Sequence, residues 1–285
     1  MKKKKIRFID CGANIGQSAE WAVKHLSSIP GCNLKIDSFE ANPELSKAIE
    51  DANPELIEKG SLVVHNKAVD ISEGKVNFYL QDWGSQTGSS LYKFKESVIK
   101  SVGFFGRVAV AGYDENEEIR YYDLRYRLNN HDPSREIKDE NGNQVLDSFY
   151  PIGANIFKEL LQHGYLENEH YLYNSVEIDS INLVSWLMKN VDFEKEFLVL
   201  KLDVEGTEFK LVKELLETGL YKNIDALLVE WTPLTKLLYV SEFDNKSSEV
   251  ADLIKETNKK FKFCYDWQHP EKAAAPLLEY INELK

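Results

Sequence analysis

Short apolar segments in this chain repeatedly run into an acidic or glycine-bearing loop and then into a helix-spaced segment. That alternation restricts the fold more than any other feature. Ile6 to Ile9 ends on Asp10-Cys-Gly12, and Ser18 to Leu26 then places Ala19, Ala22, Val23 and Leu26 at helical spacing. Leu34 to Phe39 ends on Glu40 and is followed by a helix over Pro43 to Ala52; Leu62 to His65 is a third strand and Lys75 to Leu80 a further one. Strands that read as continuous apolar runs, joined through helices, belong to a parallel sheet covered on both faces.

The pattern lapses after Asp82 and returns at Val176 to Ile181. A helix follows near Val184 to Lys189, and Phe197 to Leu202, ending at Asp203, is the most apolar strand. Glu208 to Leu216 is predicted helical, Ile224 to Val229 a buried strand ending at Glu230, Glu249 to Asn258 a helix, Phe261 to Tyr265 a late strand and Pro276 to Leu284 a last helix. One α/β domain over 1–285 is expected, with 82–175 as an insertion over its site. Within that insertion only Ile156 to Gln162, closed by Gly164, reads as a helix, and Tyr121, Tyr122, Arg125 and Tyr126 are candidate acceptor-pocket residues.

The net charge of −12 disfavours a broad nucleic-acid footprint, which relies on neutralising phosphates. The three cysteines (Cys11, Cys32 and Cys264) are scattered, as in a chain with reduced thiols and neither a disulfide framework nor a cysteine metal site. No run approaches the roughly 20 apolar residues of a membrane span. The basic start Met1 to Lys5 is followed by Arg7 and Asp10 rather than an apolar core, so a cytoplasmic protein is expected.

Three loops carry candidate chemistry. Asp10-Cys-Gly12-Ala-Asn14-Ile-Gly16 has glycines for close backbone approach and opens a helix, but it lacks both G-x-G-x-x-G and the P-loop pattern. An NAD-type oxidoreductase is thereby disfavoured. The leading acid suits a cationic ligand group such as an α-ammonium. Phe39-Glu40-Ala-Asn42-Pro43 ends the second strand, and Glu40 lies 24 residues after Gly16, close to the roughly 20 at which an acid accepts ribose hydroxyls. Lys201-Leu-Asp203-Val-Glu205-Gly206-Thr-Glu208 collects carboxylates where the best-buried strand meets a helix, and Glu230 ends the next strand. Crowded carboxylates supply a general base or hold a hard divalent cation; Glu208 reads equally well as a helix cap.

Together these pieces resemble the FkbM family of S-adenosylmethionine (SAM)-dependent methyltransferases. Asn66-Lys-Ala68-Val-Asp70 with Gly74 and Val176-Glu-Ile-Asp179-Ser-Ile181 add to the likeness, and Ser89-Ser90-Leu91 resembles a further short motif. The resemblance covers about residues 6 to 231 except the middle. It implies a Rossmann-like class I methyltransferase fold and methyl transfer to a hydroxyl oxygen of a small molecule, sugar or glycan. It also implies that Asp10, Gly12, Asn14 and Gly16 lie against the methionine part of SAM, with Glu40 and Asn42 at the ribose and Asn66 and Ala68 at the adenine. Asp203, Glu205 and Glu230 then face the acceptor as candidate bases, or as ligands if a divalent metal is held; His65 is the non-carboxylate candidate. A non-catalytic SAM-binding module and an RNA methyltransferase are the alternatives.

Overall fold

A computed structural model describes residues 5–31, 33–80, 89–91, 110–113, 119–121, 174–231 and 247–284. Its main sheet is built from β1 (Lys5–Cys11), β2 (Asn33–Phe39), β3 (Leu62–His65), β9 (Glu196–Leu202), β10 (Ala226–Val229) and β11 (Cys264–Asp266). The order is β11-β10-β9-β1-β2-β3, and every neighbouring pair is parallel. The chain thus builds outward from β1 to β3 and then returns beside β1 to build the other way. This is the doubly wound arrangement, and its switch point lies between β1 and β9.

β1 and β9 are buried along almost their whole length because helices cover both faces. Alternation within each strand sorts the side chains. Ile6, Phe8, Ile36, Val199 and Leu228 pack with α1 (Gln17–Leu26) and α7 (Pro270–Glu283). Ile9, Leu198, Leu200 and Leu227 pack on the opposite face with α4 (Leu183–Asn190) and α5 (Glu208–Glu217). The other described helices are α2 (Pro43–Ala52), the short α3 (Pro54–Glu58) and α6 (Ser247–Lys260).

A charged cluster lies within this core. Arg7 of β1 is buried, with Nε 2.6 Å from Asp37 of β2 and Nη1 3.7 Å from Glu196 of β9. His65 Nε2 lies 3.0 Å from Asp37 Oδ1, and its ring stacks on Phe39 at 4.5 Å. His65 is therefore a packing residue at the end of β3.

A smaller sheet of β4 (Ala68–Asp70), β5 (Gly74–Leu80) and β8 (Asn174–Asn182), in the order β4-β8-β5, encloses Ala41, Ala68, Phe78 and Ile178. The chain divides into two compact units. The first comprises Met1–Tyr92, Ser175–Leu234 and Lys246–Lys285, and the second Lys93–Asn174 with Thr235–Asn245. The expected insertion thus corresponds largely to the second unit, which also takes in 235–245, a segment the sequence pattern does not group with it. Its described part is the antiparallel pair β6 (Val110–Tyr113) and β7 (Ile119–Tyr121). Tyr121 ends β7, whereas Tyr122, Arg125, Tyr126 and the helix expected at Ile156 to Gln162 lie outside the described residues.

Two boundaries differ from expectation by more than two residues. The last helix begins at Pro270, six residues early, and carries Pro276 inside it. The last strand is Cys264–Asp266, while Phe261 instead fills the core beside Tyr221.

Candidate functional site

A cavity of about 620 Å³ runs along the carboxyl end of the main sheet, where ligands bind in doubly wound folds. Strand order arranges its wall as a line. Lys67 and Ala68 follow β3, Glu40 and Ala41 follow β2, and Gly12, Ala13 and Asn14 follow β1. Asp203, Val204 and Glu205 follow β9, Glu230 follows β10, and Trp267, Gln268 and Glu271 follow β11. Of the predicted site residues, Gly12, Asn14, Glu40, Ala68, Asp203, Glu205 and Glu230 therefore share one cavity.

The switch point is closed by contacts between the loops. A Cβ on Gly12 (φ +84°) would sit 1.8 Å from the backbone oxygen of Asp203, so only glycine permits the β1 and β9 loops to touch. Gly12 and Ala13 N–H both donate to Phe39 O at 3.0 Å. Glu40 is almost wholly buried, and its two oxygens accept from the Asn14 N–H (2.7 Å) and the Asn42 N–H (2.8 Å). It thereby clamps the β1 loop to the β2 loop while still facing the cavity. Burial pushes its carboxyl up to about 7, against the lowering effect of those two N–H donors.

The β9 loop has a clamp of its own. Glu208, the first residue of α5, has no exposed surface, and it accepts from the N–H groups of Val204 (2.7 Å) and Gly206 (2.8 Å). Burial, followed by the nearby Glu205, raises it to about 7. Glu205 itself adopts φ 54°, and its carbonyl accepts from Ser90 Oγ at 2.7 Å. The Ser89-Ser90-Leu91 motif is thus fastened to the β9 loop.

Lys201, named in the motif but given no role from sequence, stands under the switch point. Its Nζ donates to Gly12 O (2.6 Å) and lies 3.2 Å from Asp10 Oδ1 and 3.1 Å from Asp203 Oδ2. Burial pulls its pKa down, but Asp203 and Asp10 pull it up further, so the ammonium is held above its ordinary value. This corrects the expectation for Asp10. That carboxylate is fully buried beneath the cavity and is bound by Lys201 and Ser38, so Lys201 supplies the cation that a ligand was expected to bring.

Three further predicted residues shape the loops without lining the cavity. Asn42 caps α2 by accepting from the Glu44 N–H. Asn66 donates to the carbonyls of Glu40 and Ala41. Gly16 supplies the φ of 94° at the start of α1.

Asp203 and Glu230 are the acids most open to chemistry. Asp203 has one oxygen on Lys201 and a partly exposed side chain. Glu230 is half-buried; burial first, then Asp203 and Glu205, raise its carboxyl to about 7. Among the described residues no three His, Cys, Asp or Glu side chains converge closely enough to hold a metal ion.

The sequence reading missed the far wall. Trp21 reaches the cavity from α1, and Trp267, Gln268, Pro270 and Glu271 reach it from the turn into α7. The available signal was positional, since these residues follow a strand of the same sheet. Comparison with protein-family models, with curated proteins and with solved structures finds no match for this chain.

Proposed function

We propose that the protein is a SAM-dependent methyltransferase acting on a hydroxyl oxygen of a small molecule or sugar. One observation carries this reading. A single cavity joins the acid that ends the second strand, the glycine loop at the switch point, and Glu230, whose pKa lies near neutrality. Its volume falls in the range of small-ligand sites, and its acidic wall favours a cationic ligand over a pyrophosphate.

SAM, when bound, supplies a methyl group on a positively charged sulfur for in-line displacement by the acceptor oxygen. In this reading Glu40 accepts from the ribose hydroxyls through the lone pairs its backbone donors leave unused. Lys67 and Ala68 border the base, and Gly12 to Asn14 border the amino-acid part. Asp203, anchored by Lys201, stands beside the reacting centre. Glu230 takes the acceptor proton as the O–C bond forms, because a base with a pKa near 7 is matched to that task.

The deciding experiment is calorimetry of SAM and S-adenosylhomocysteine (SAH), with and without Mg²⁺ or Mn²⁺. Micromolar binding of both, unchanged by metal, is expected; no binding of either overturns the proposal. Glu40→Ala is expected to weaken both ligands at least about tenfold, the scale of one lost charge-assisted hydrogen bond. Native affinity in that variant removes the ribose assignment.

A further inference from the structure

The part of the cavity beyond β10 has no place in the cofactor site proposed above. It is nevertheless held in place by hydrogen bonds of its own. The Trp267 N–H donates to Val229 O at 3.0 Å, pinning the β11–α7 turn to β10. The Gln268 N–H donates to Asp266 Oδ1 at 2.9 Å. Trp21 Nε1–H donates to Pro270 O at 2.8 Å, which ties α1 to the first residue of α7. The two indoles meet edge to face at 5.0 Å. The result is an aromatic corner whose shape is set before any ligand arrives, with the exposed side chains of Gln268 and Glu271 at its rim.

The turn also sorts its charges. Gln268 and Glu271 line this cavity, whereas His269 and Lys272 line a separate one of about 470 Å³ with Trp231 and Cys264. Among the described residues, the cations lining the main cavity are Lys67, at the β3 end, and Lys201, which is engaged by Asp10, Asp203 and the Gly12 carbonyl. Among the described residues, the β10–β11 end therefore presents Glu230 and Glu271, and the lining cation whose charge reaches Glu230 is Lys201, already engaged by Asp10 and Asp203.

We infer that the β10–β11 end of the cleft, formed by Trp21, Trp267, Gln268, Glu271 and Glu230, is the acceptor subsite, and that it takes a polyhydroxylated ligand bearing no anionic group. The word acceptor rests on the methyltransferase reading; the site and its charge selection do not. The almost wholly buried indoles of Trp21 and Trp267 form a rigid base for this end, while the Gln268 amide and the two carboxylates bond the hydroxyls of a sugar. An amine on the ring adds a favourable charge interaction, and a carboxylate or phosphate meets like charge. The acceptor thus approaches from the β11 side, and Glu230 stands between it and Asp203 in strand order.

Ligand-observed saturation-transfer NMR on the full chain, with and without SAH, tests this with methyl α-glucoside, glucosamine and glucuronate as probes. The neutral and amino sugars are expected to bind, with glucuronate about tenfold weaker. Glu271→Lys, an exposed change on the first turn of α7, is expected to shift the ratio of glucuronate to methyl α-glucoside binding about tenfold towards glucuronate, the size of reversing one charge at roughly 6 Å in a water-like medium. Glu271→Gln should give about half that shift on a logarithmic scale. No saturation transfer to any of the three sugars overturns the subsite, and an unchanged ranking in both variants overturns its charge selection. Failure of SAH to bind instead marks the failure of the methyltransferase reading, and the sugar ranking in the ligand-free chain still decides the subsite.

Discussion

Glu208 and Glu230 carry the same raised pKa of about 7, and burial is the chief cause in both. Yet they sit in regions built for opposite purposes. Beneath the cleft, in the β9–α5 loop, Glu208 has both oxygens engaged by backbone N–H groups and no exposed surface. On the cleft wall, at the end of β10, Glu230 opens onto the cavity. A perturbed carboxylate thus marks a loop clamp in one place and a candidate base in the other. Only the geometry around it separates the two.

The largest expected effect tests the buried region. Lys201→Met removes the cation from between Asp10 and Asp203 and leaves the Asp10 carboxyl buried without its counter-charge. Breaking a buried pair by removing one partner costs about 3–5 kcal/mol. Urea unfolding should show a loss of that size, and the double variant Asp10→Asn/Lys201→Met should recover most of it. A single variant as stable as the native chain contradicts the ion-pair account.

Glu208→Ala comes next. It orphans the N–H groups of Val204 and Gly206, at about 1–3 kcal/mol for each buried donor left unmade. The same clamp has a pH signature. The folded-state pKa is raised from 4.5 to about 7, so the folded state holds this proton more tightly than the unfolded chain does. Its contribution to stability is fully present below pH 4.5 and is lost as pH rises through 7. Glu208→Gln should therefore flatten the fall in unfolding free energy between pH 4.5 and 7. An unchanged slope would mean that Glu208 is not the titrating group.

Residues whose burial and partners lie close together in the chain were legible from sequence, and those governed by distant contacts were not. The strands Leu62–His65 and Ala226–Val229 and the helix Pro43–Ala52 follow from apolar runs and from the Asn42-Pro43 start signal. Glu208 as a helix-start acid was readable because its donors lie two and four residues away. Glu40 looks alike in sequence, but one of its two donors is Asn14, 26 residues away. The clamp is therefore visible only once β1 and β2 are side by side. Asp10 was read as facing a ligand because nothing local announces that Lys201, most of the chain away, lies beneath it. Pro276 misled for a related reason. An interior proline costs a helix about 3 kcal/mol, yet Ala273 and Ala274, buried in the core that α7 shares with α1, extend the helix back to Pro270.

Glu230 gives the smallest expected effect on stability and the clearest separation of the two regions. Glu230→Gln keeps the shape of the side chain, leaves the backbone bond from its N–H to Leu202 O in place, and relieves repulsion from Asp203 and Glu205. Its unfolding free energy at pH 7 should be no lower than native, because glutamine removes a carboxylate that burial, Asp203 and Glu205 disfavour in the folded state. The rate of methyl transfer should fall by about 10²–10⁴, the usual contribution of a positioned base. In the native protein the rate should rise with pH through about 7 as Glu230 loses its proton, and the glutamine variant should lack that limb. A stable variant that binds SAM, keeps its rate and retains the limb would move the base to Asp203 or Glu205. A variant that loses stability as Glu208→Ala does would place Glu230 with the clamps, and the contrast between floor and wall would no longer hold.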